Sequence, residues 1–142
     1  MIFQEIKRED IEFLASPKSL DFKDCWNSSQ YASSFDEGRF FGFIIKDGEE
    51  KLGFITYTLG AYDADIESVY VFSESRKKGV GFALLQRAIE DLAKKVEKIF
   101  LEVRKNNLSA INLYEKCGFK QISIRKKYYS DGEDAIVFLK EI

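Results

Sequence analysis

The segment Arg76-Lys77-Lys78-Gly79-Val80-Gly81 puts three basic side chains and two glycines at the head of an apolar-periodic stretch. A glycine turn that opens a helix leaves backbone N–H groups without intrahelical partners, at the positive end of the helix dipole. Such a turn suits a pyrophosphate. As an ordinary glycine-rich loop it would only turn basic side chains to solvent. It is not a P-loop, because Gly-Lys-Ser/Thr is missing, and it is not the Gly-x-Gly-x-x-Gly dinucleotide fingerprint. A second set of reactive side chains follows: Glu102, Asn107, Tyr114 and Cys117. The chain has no histidine, which excludes Ser-His-Asp triads, Cys-His pairs and His-ligated zinc. Proton transfer then falls mainly to carboxylate and tyrosine. Two cysteines, Cys25 and Cys117, cannot build a four-thiolate metal site, and so few suit a reduced, cytoplasmic compartment. No metal is expected.

Each of these residues also has an ordinary structural role. Glu102 could be a solvated carboxylate on an outward strand face. Tyr114, three residues after Ile111, could be core. Asn107 fits a helix N-cap, with Gly118 at the C′ position of the same helix. Cys117 reads as packing, since no base stands beside it in sequence. The basic run Arg125 to Lys127 reads as a solvated strand edge or a face toward an acidic partner.

The elements that must position these groups follow from periodicity. A first strand is expected at Ile2 to Ile6, then a helical stretch through Ile11, Phe13 and Leu14. Leu20 to Phe35 reads as one or two short helices or a structured loop. Arg39 to Ile45 and Lys51 to Leu59 are aromatic and β-branched and flank Asp47-Gly48, a hairpin signal. Ala64 to Phe72 is a further strand. Val80 to Val96 is the clearest helix, with Phe82, Leu85, Ile89, Leu92 and Val96 at intervals of three and four. Lys98 to Val103 returns to period two, with Ile99, Leu101 and Val103 on one face and Phe100, Glu102 and Arg104 on the other. Leu108 to Cys117 is a short helix. Phe119 to Tyr128 and Asp134 to Lys140 flank the turn Ser130-Asp131-Gly132-Glu133. A hairpin, then strand-helix-strand-helix, then a hairpin predicts a mixed sheet with helices on its faces.

At 142 residues the chain is one domain's worth, with 45% apolar and 32% charged residues. Its net charge of −2 and pI near 5.4 argue against a general nucleic-acid binder. The longest apolar run, Phe40 to Ile45, is far below the roughly 18 residues of a membrane span, and the N-terminus shows no signal-peptide pattern. No membrane or direct nucleic-acid partner is expected.

The strand before Arg76, the R-x-x-G-x-G turn, the amphipathic helix, the Leu101-Glu102-Val103-Arg104 strand and the N-x-x-A-x-x-L-Y-E-x-x-G-F segment from Asn107 to Phe119 resemble the GNAT superfamily of acetyl-CoA-dependent N-acetyltransferases. Arg125-Lys126-Lys127-Tyr128-Tyr129 and Asp131-Gly132-Glu133-Asp134-Ala135 extend the resemblance to the bacterial ribosomal-protein-alanine N-acetyltransferases. It is dense from about Ile66 to Leu139 and thin before Phe40. It implies one α/β domain over residues 1–142, with a mixed, mostly antiparallel sheet flanked by helices on both faces.

The resemblance also implies roles. Val69 and Val71 offer backbone groups to the acetyl-pantetheine arm, with Tyr70 between them in the same cofactor-binding stretch. Arg76 opens the pyrophosphate turn, and Lys77, Lys78, Gly79, Val80, Gly81 and Phe82 wrap it. Asn107 binds the cofactor, Glu102 is the general base, Tyr114 the general acid, and the Val71 N–H holds the oxyanion. Two departures stand out. Phe72-Ser73 replaces the family's Asp-Pro, and Cys25-Trp26 replaces Pro-Trp in the segment that helps line the acceptor side.

The chemistry is consistent with these groups. An α-amine with pKa near 7.7–8.0 is roughly a tenth neutral at pH 7, whereas a lysine amine near 10.4 costs about 4.6 kcal/mol to deprotonate there. A single carboxylate working through water can meet the smaller demand. A thiolate near pKa 8.5 and a phenol near 10 are closely matched for proton return. The expected acceptor is a protein N-terminal α-amine, such as alanine on a small-subunit ribosomal protein. The rivals are a small amine acceptor (polyamine, amino sugar or antibiotic) and a non-catalytic acyl-CoA-binding module.

Overall fold

The computed structural model describes all 142 residues, Met1–Ile142. Seven strands form one sheet: β1 (Ile2–Glu5), β2 (Phe40–Asp47), β3 (Glu50–Leu59), β4 (Asp63–Val71), β5 (Lys98–Arg104), β6 (Lys120–Arg125) and β7 (Ala135–Glu141). Their order is β1-β2-β3-β4-β5-β7-β6. Only β4 and β5 run parallel. The helices are α1 (Ile11–Ala15), α2 (Ser28–Asp36), α3 (Val80–Leu92) and α4 (Leu108–Lys116).

The two sheet faces carry separate cores. Leu84, Leu85, Ala88 and Leu92 of α3 and Tyr114 of α4 pack with Ile99, Leu101 and Val103 of β5 and Ile136 and Phe138 of β7. On the opposite face, Leu14 of α1 and Tyr31 of α2 pack with Phe40, Ile44, Phe54 and Tyr70. This division follows from the alternation of side chains along each strand. Burying both faces is what holds the parallel β4–β5 pair in the middle of the sheet.

Two boundaries differ from the sequence reading by three residues or more, and one open region is resolved. Helix α3 ends at Leu92, one turn short of Val96, because Lys95 and Val96 both donate to the Leu92 carbonyl and turn the chain toward β5. Val96 stays buried beyond the helix end. Strand β6 ends at Arg125, since Lys127 takes the left-handed φ of 49° and donates its N–H to Asp134. Tyr128 and Tyr129 are thereby released into the loop. The ambiguous Leu20 to Phe35 region is a loop followed by α2, whose start is fixed by Asn27 and Gln30 in a reciprocal capping box.

Candidate active site

Strands β4 and β5 pair only from Asp63–Ile66 against Lys98–Leu101. Beyond those residues they separate, and the gap opens a cavity of about 630 Å³ through the sheet. A β-bulge marks the departure: Thr56 of β3 pairs with Ser68 and Tyr57 with Ile66, which leaves Glu67 as the extra residue. The bulge also changes which face β4 presents. Ile66 packs in the α3 core, whereas Ser68 bonds to Thr56 and Tyr31 on the α2 side.

The gap exposes backbone groups. Phe72 N–H donates to the Leu52 carbonyl at 3.0 Å, and hydrogen-bonded pairs alternate along an antiparallel ladder. In the register Gly53↔Val71 and Ile55↔Val69, Val69 and Val71 therefore turn N–H and C=O away from β3, toward the space β5 has left. The Val71 carbonyl accepts from Arg76 Nε at 2.8 Å. Tyr70 is placed differently from the sequence reading. Its backbone faces β3, and its ring is stacked on Phe22 in the α2-side core. It does not reach the gap.

The basic glycine turn lies beside the gap's upper end. Lys77 has φ 63° and Gly79 φ 80°, two left-handed residues around Lys78 that gather backbone N–H groups into a concavity suited to an anion. Lys77, a non-glycine in that region, is a local outlier of the sort found at binding sites. The first helical backbone bond of α3 runs from Ala83 to the Gly79 carbonyl, so the N–H groups of Val80, Gly81 and Phe82 have no intrahelical partner. Gly81 permits close packing, since a Cβ there would stand 3.3 Å from Leu113 of α4. The side chain of Arg76 is not part of this concavity. It pairs with Asp21 at 2.6 Å and lies over the Tyr70 ring, tying the turn to the loop before α2. The Val80 side chain is core and Phe82 packs against it, so these two can serve a ligand only through their backbones. The residues present fit the pantetheine arm and pyrophosphate of a coenzyme A ester.

Glu102 and Tyr114 reach the same cavity from different directions. Glu102 stands on the β5 face opposite the α3 core. Its Oε2 pairs with Arg125 at 3.1 Å and its Oε1 accepts weakly from Tyr128 at 3.5 Å. Tyr114 comes from α4 and is 8% exposed. No buried side-chain oxygen or nitrogen lacks a partner, yet the Tyr114 hydroxyl has none within the protein, so it opens into the cavity it lines. Burial, more than the nearby Tyr129 and Cys117, pushes its pKa well above the ordinary phenol value. Asn107 caps α4 by accepting from Ala110 N–H at 3.2 Å. Its carboxamide nitrogen makes no hydrogen bond, and the residue lines the cavity.

Two features escaped the sequence reading. Glu67 enters the cavity only because of the bulge, and one of its oxygens accepts from Thr58 at 2.9 Å. Arg104 is a hub: it grips Asp24 at 2.6 Å and Asp131 at 2.9 Å and stacks on Tyr129 at 4.1 Å. It thereby joins the loop before α2 to the β6–β7 loop beside the cavity. The L-E-V-R spacing showed that Arg104 shares a face with Glu102, but nothing local marked its two distant partners. Cys117 is buried at the end of α4, and burial raises its thiol pKa, in keeping with packing.

Residues 4–119 match the model of the Acetyltransferase (GNAT) family. The [ribosomal protein bS18]-alanine N-acetyltransferase of Escherichia coli strain K12 is 34% identical over 116 residues, 79% of this chain and 78% of that one. The N-alpha-acetyltransferase of Sulfurisphaera tokodaii is 43% identical over 72 residues. The chain spans under half the length of this archaeal relative (43%) and of its Saccharolobus solfataricus counterpart (47%). The crystal structure of the ribosomal-protein-S18-alanine N-acetyltransferase from Escherichia coli superposes with a TM-score of 0.88 at 28% identity, covering 99% of this chain and 93% of that one.

Proposed function

The chain belongs to the acetyltransferase (GNAT) family, and from that premise we propose that it moves an acetyl group from acetyl-CoA to a protein N-terminal α-amine, alanine on a small-subunit ribosomal protein being the favoured acceptor. The whole chain, residues 1–142, acts as one N-acetyltransferase domain, a reading supported by a single sheet that takes strands from Ile2 through Glu141. The observation that carries the proposal is the cavity through the sheet gap, with the unpartnered Tyr114 hydroxyl and the Glu102 carboxylate both lining it. No helix is long and apolar enough to cross a membrane, and both cysteines are free, which supports a cytoplasmic site of action.

Acetyl-CoA supplies an activated acyl group as a thioester. The turn from Lys77 to Phe82 holds its pyrophosphate through backbone N–H groups, and Val69 and Val71 line its arm. Glu102 accepts the acceptor's proton, through water, so that a neutral amine can attack the carbonyl carbon. The Val71 N–H faces the oxygen on which negative charge develops. As the carbon–sulfur bond breaks, Tyr114 gives its proton to the departing sulfur. The nitrogen, cationic after its attack, loses its second proton to water, and solvent returns a proton to the tyrosine. Burial keeps that phenol protonated at every physiological pH. A thiolate formed in the same desolvated cleft is also raised in pKa, which keeps the transfer feasible.

Glu102→Gln tests this reading. It keeps shape and removes basicity, so turnover of an alanine-initiated peptide should fall near pH 7. The rate should recover as pH rises past about 8, where the α-amine deprotonates unaided. Wild-type rates from pH 6.5 to 9 in this variant would refute the assignment of the base.

A further inference from the structure

The acceptor end of the cavity carries more negative charge than the protein balances. Asp63, Asp65 and the bulge residue Glu67 line it together with Glu102. Arg125 is paired with Glu102, Arg104 with Asp24 and Asp131, and Lys23 with Asp131. Asp63, Asp65 and Glu67 take part in no ion pair. Desolvation first, then the charges of Asp63 and Glu102, raise the pKa of Asp65. Desolvation, and after it Asp65 and Glu102, raise that of Glu67 against the Thr58 hydrogen bond. These carboxylates include no group of three that could hold a metal ion.

A second observation is independent of the charges. The Tyr114 hydroxyl, on a side chain more than nine-tenths buried, opens without a partner into this same cavity. The cavity is thus built to take a polar ligand. The reacting amine brings at most one charge, and its proton passes to Glu102 before attack, so Asp65 and Glu67 stay unbalanced by it.

We infer that the preferred acceptor carries a second, permanent positive charge beside its reacting amine, and that Asp65 and Glu67 select it. The inference rests on the reading of this cavity as the acceptor site. The chemistry is that of an ammonium or guanidinium close to a primary amine. Two sources provide it: a protein N-terminus followed by lysine or arginine, and a polyamine.

The test compares alanine-initiated peptides that differ only in a second residue of Lys, Gly or Glu, with spermidine as a separate arm. KM for the Lys peptide should lie about tenfold below that for the Gly peptide, the return of one close ion pair, with the Glu peptide above both. The preference should shrink in high salt. In Asp65→Asn/Glu67→Gln the Lys-to-Gly ratio should move toward one. Asp65 is exposed, so Asp65→Asn alone serves should the double variant not fold. A Lys peptide ahead of spermidine assigns the second charge to a protein end, and spermidine ahead assigns it to a polyamine. Equal KM values for the Lys and Gly peptides in wild type, or a ratio untouched by the substitutions, would overturn the inference. Should no acceptor be acetylated, the transfer reading fails by itself. Calorimetric titration of the peptides into CoA-loaded protein then decides selection, unequal Kd values supporting it and equal ones refuting it.

Discussion

In the proposed mechanism Tyr114 and Glu102, which line one cavity, act as proton donor and proton acceptor. Tyr114 is wrapped by Phe119 and Phe138, and that apolar surround keeps its proton on. Glu102 sits half open, with its Oε2 paired to Arg125. Tyr114→Phe separates chemistry from packing, because the lost hydroxyl has no protein partner. Its kcat should drop by about 10², while the melting temperature stays near that of wild type. A kcat within twofold of wild type would leave the mechanism without its proton donor.

At the scale of elements, the turn into α3 is the part most dependent on backbone conformation. A Cβ at position 79 would meet nothing within 4 Å, yet Gly79 holds φ +80°. A left-handed L-residue costs about 1–2 kcal/mol, so Gly79→Ala should stay folded while binding acetyl-CoA more weakly. Calorimetry reads the affinity, and an unchanged Kd would show that the turn's shape is not what holds the pyrophosphate. This element was legible in the sequence because its signals are local: two glycines, a basic run and a 3.6-residue apolar period. Asn107 was legible for the same reason, since a cap bonds three residues ahead. The bulge at Glu67 was not, because a register shift depends on how β3 and β4 meet. The Arg76 side chain was misread because its partner, Asp21, lies 55 residues earlier. The strand alternation of β5 was readable, whereas its separation from β4 was not.

Across the whole molecule, Arg104 connects segments that are far apart in sequence, Asp24 being 80 residues before it and Asp131 27 after. Lys23 adds a second bridge to Asp131. Arg104→Met keeps much of the apolar stem and removes the fork that grips both loops. Amide hydrogen exchange at residues 20–27 and 126–134 should quicken, and the acceptor KM should rise. Exchange unchanged in both loops would show that the clamp orders neither. The bonds from Lys23, the Glu133 backbone and Arg104 hold the Asp131 carboxyl well below its ordinary value. A depressed folded-state pKa means the contribution is present at neutral pH and is lost as pH falls below the ordinary carboxylate range. The clamp should therefore loosen in acid and not in base.

The strand order carries a consequence for how the chain is made. Strand β7 lies between β5 and β6, although it follows both in the chain, so β5 and β6 have no shared neighbour until it arrives. During synthesis, one wall of the gap must wait as an open edge while the rest of the sheet assembles. Such edges invite pairing with other chains. Strand β6, exposed along its length with Ile122 and Ile124 outward, would be the segment most at risk in that interval. That wall of the gap can thus close only after β7 has followed β6 out of the ribosome.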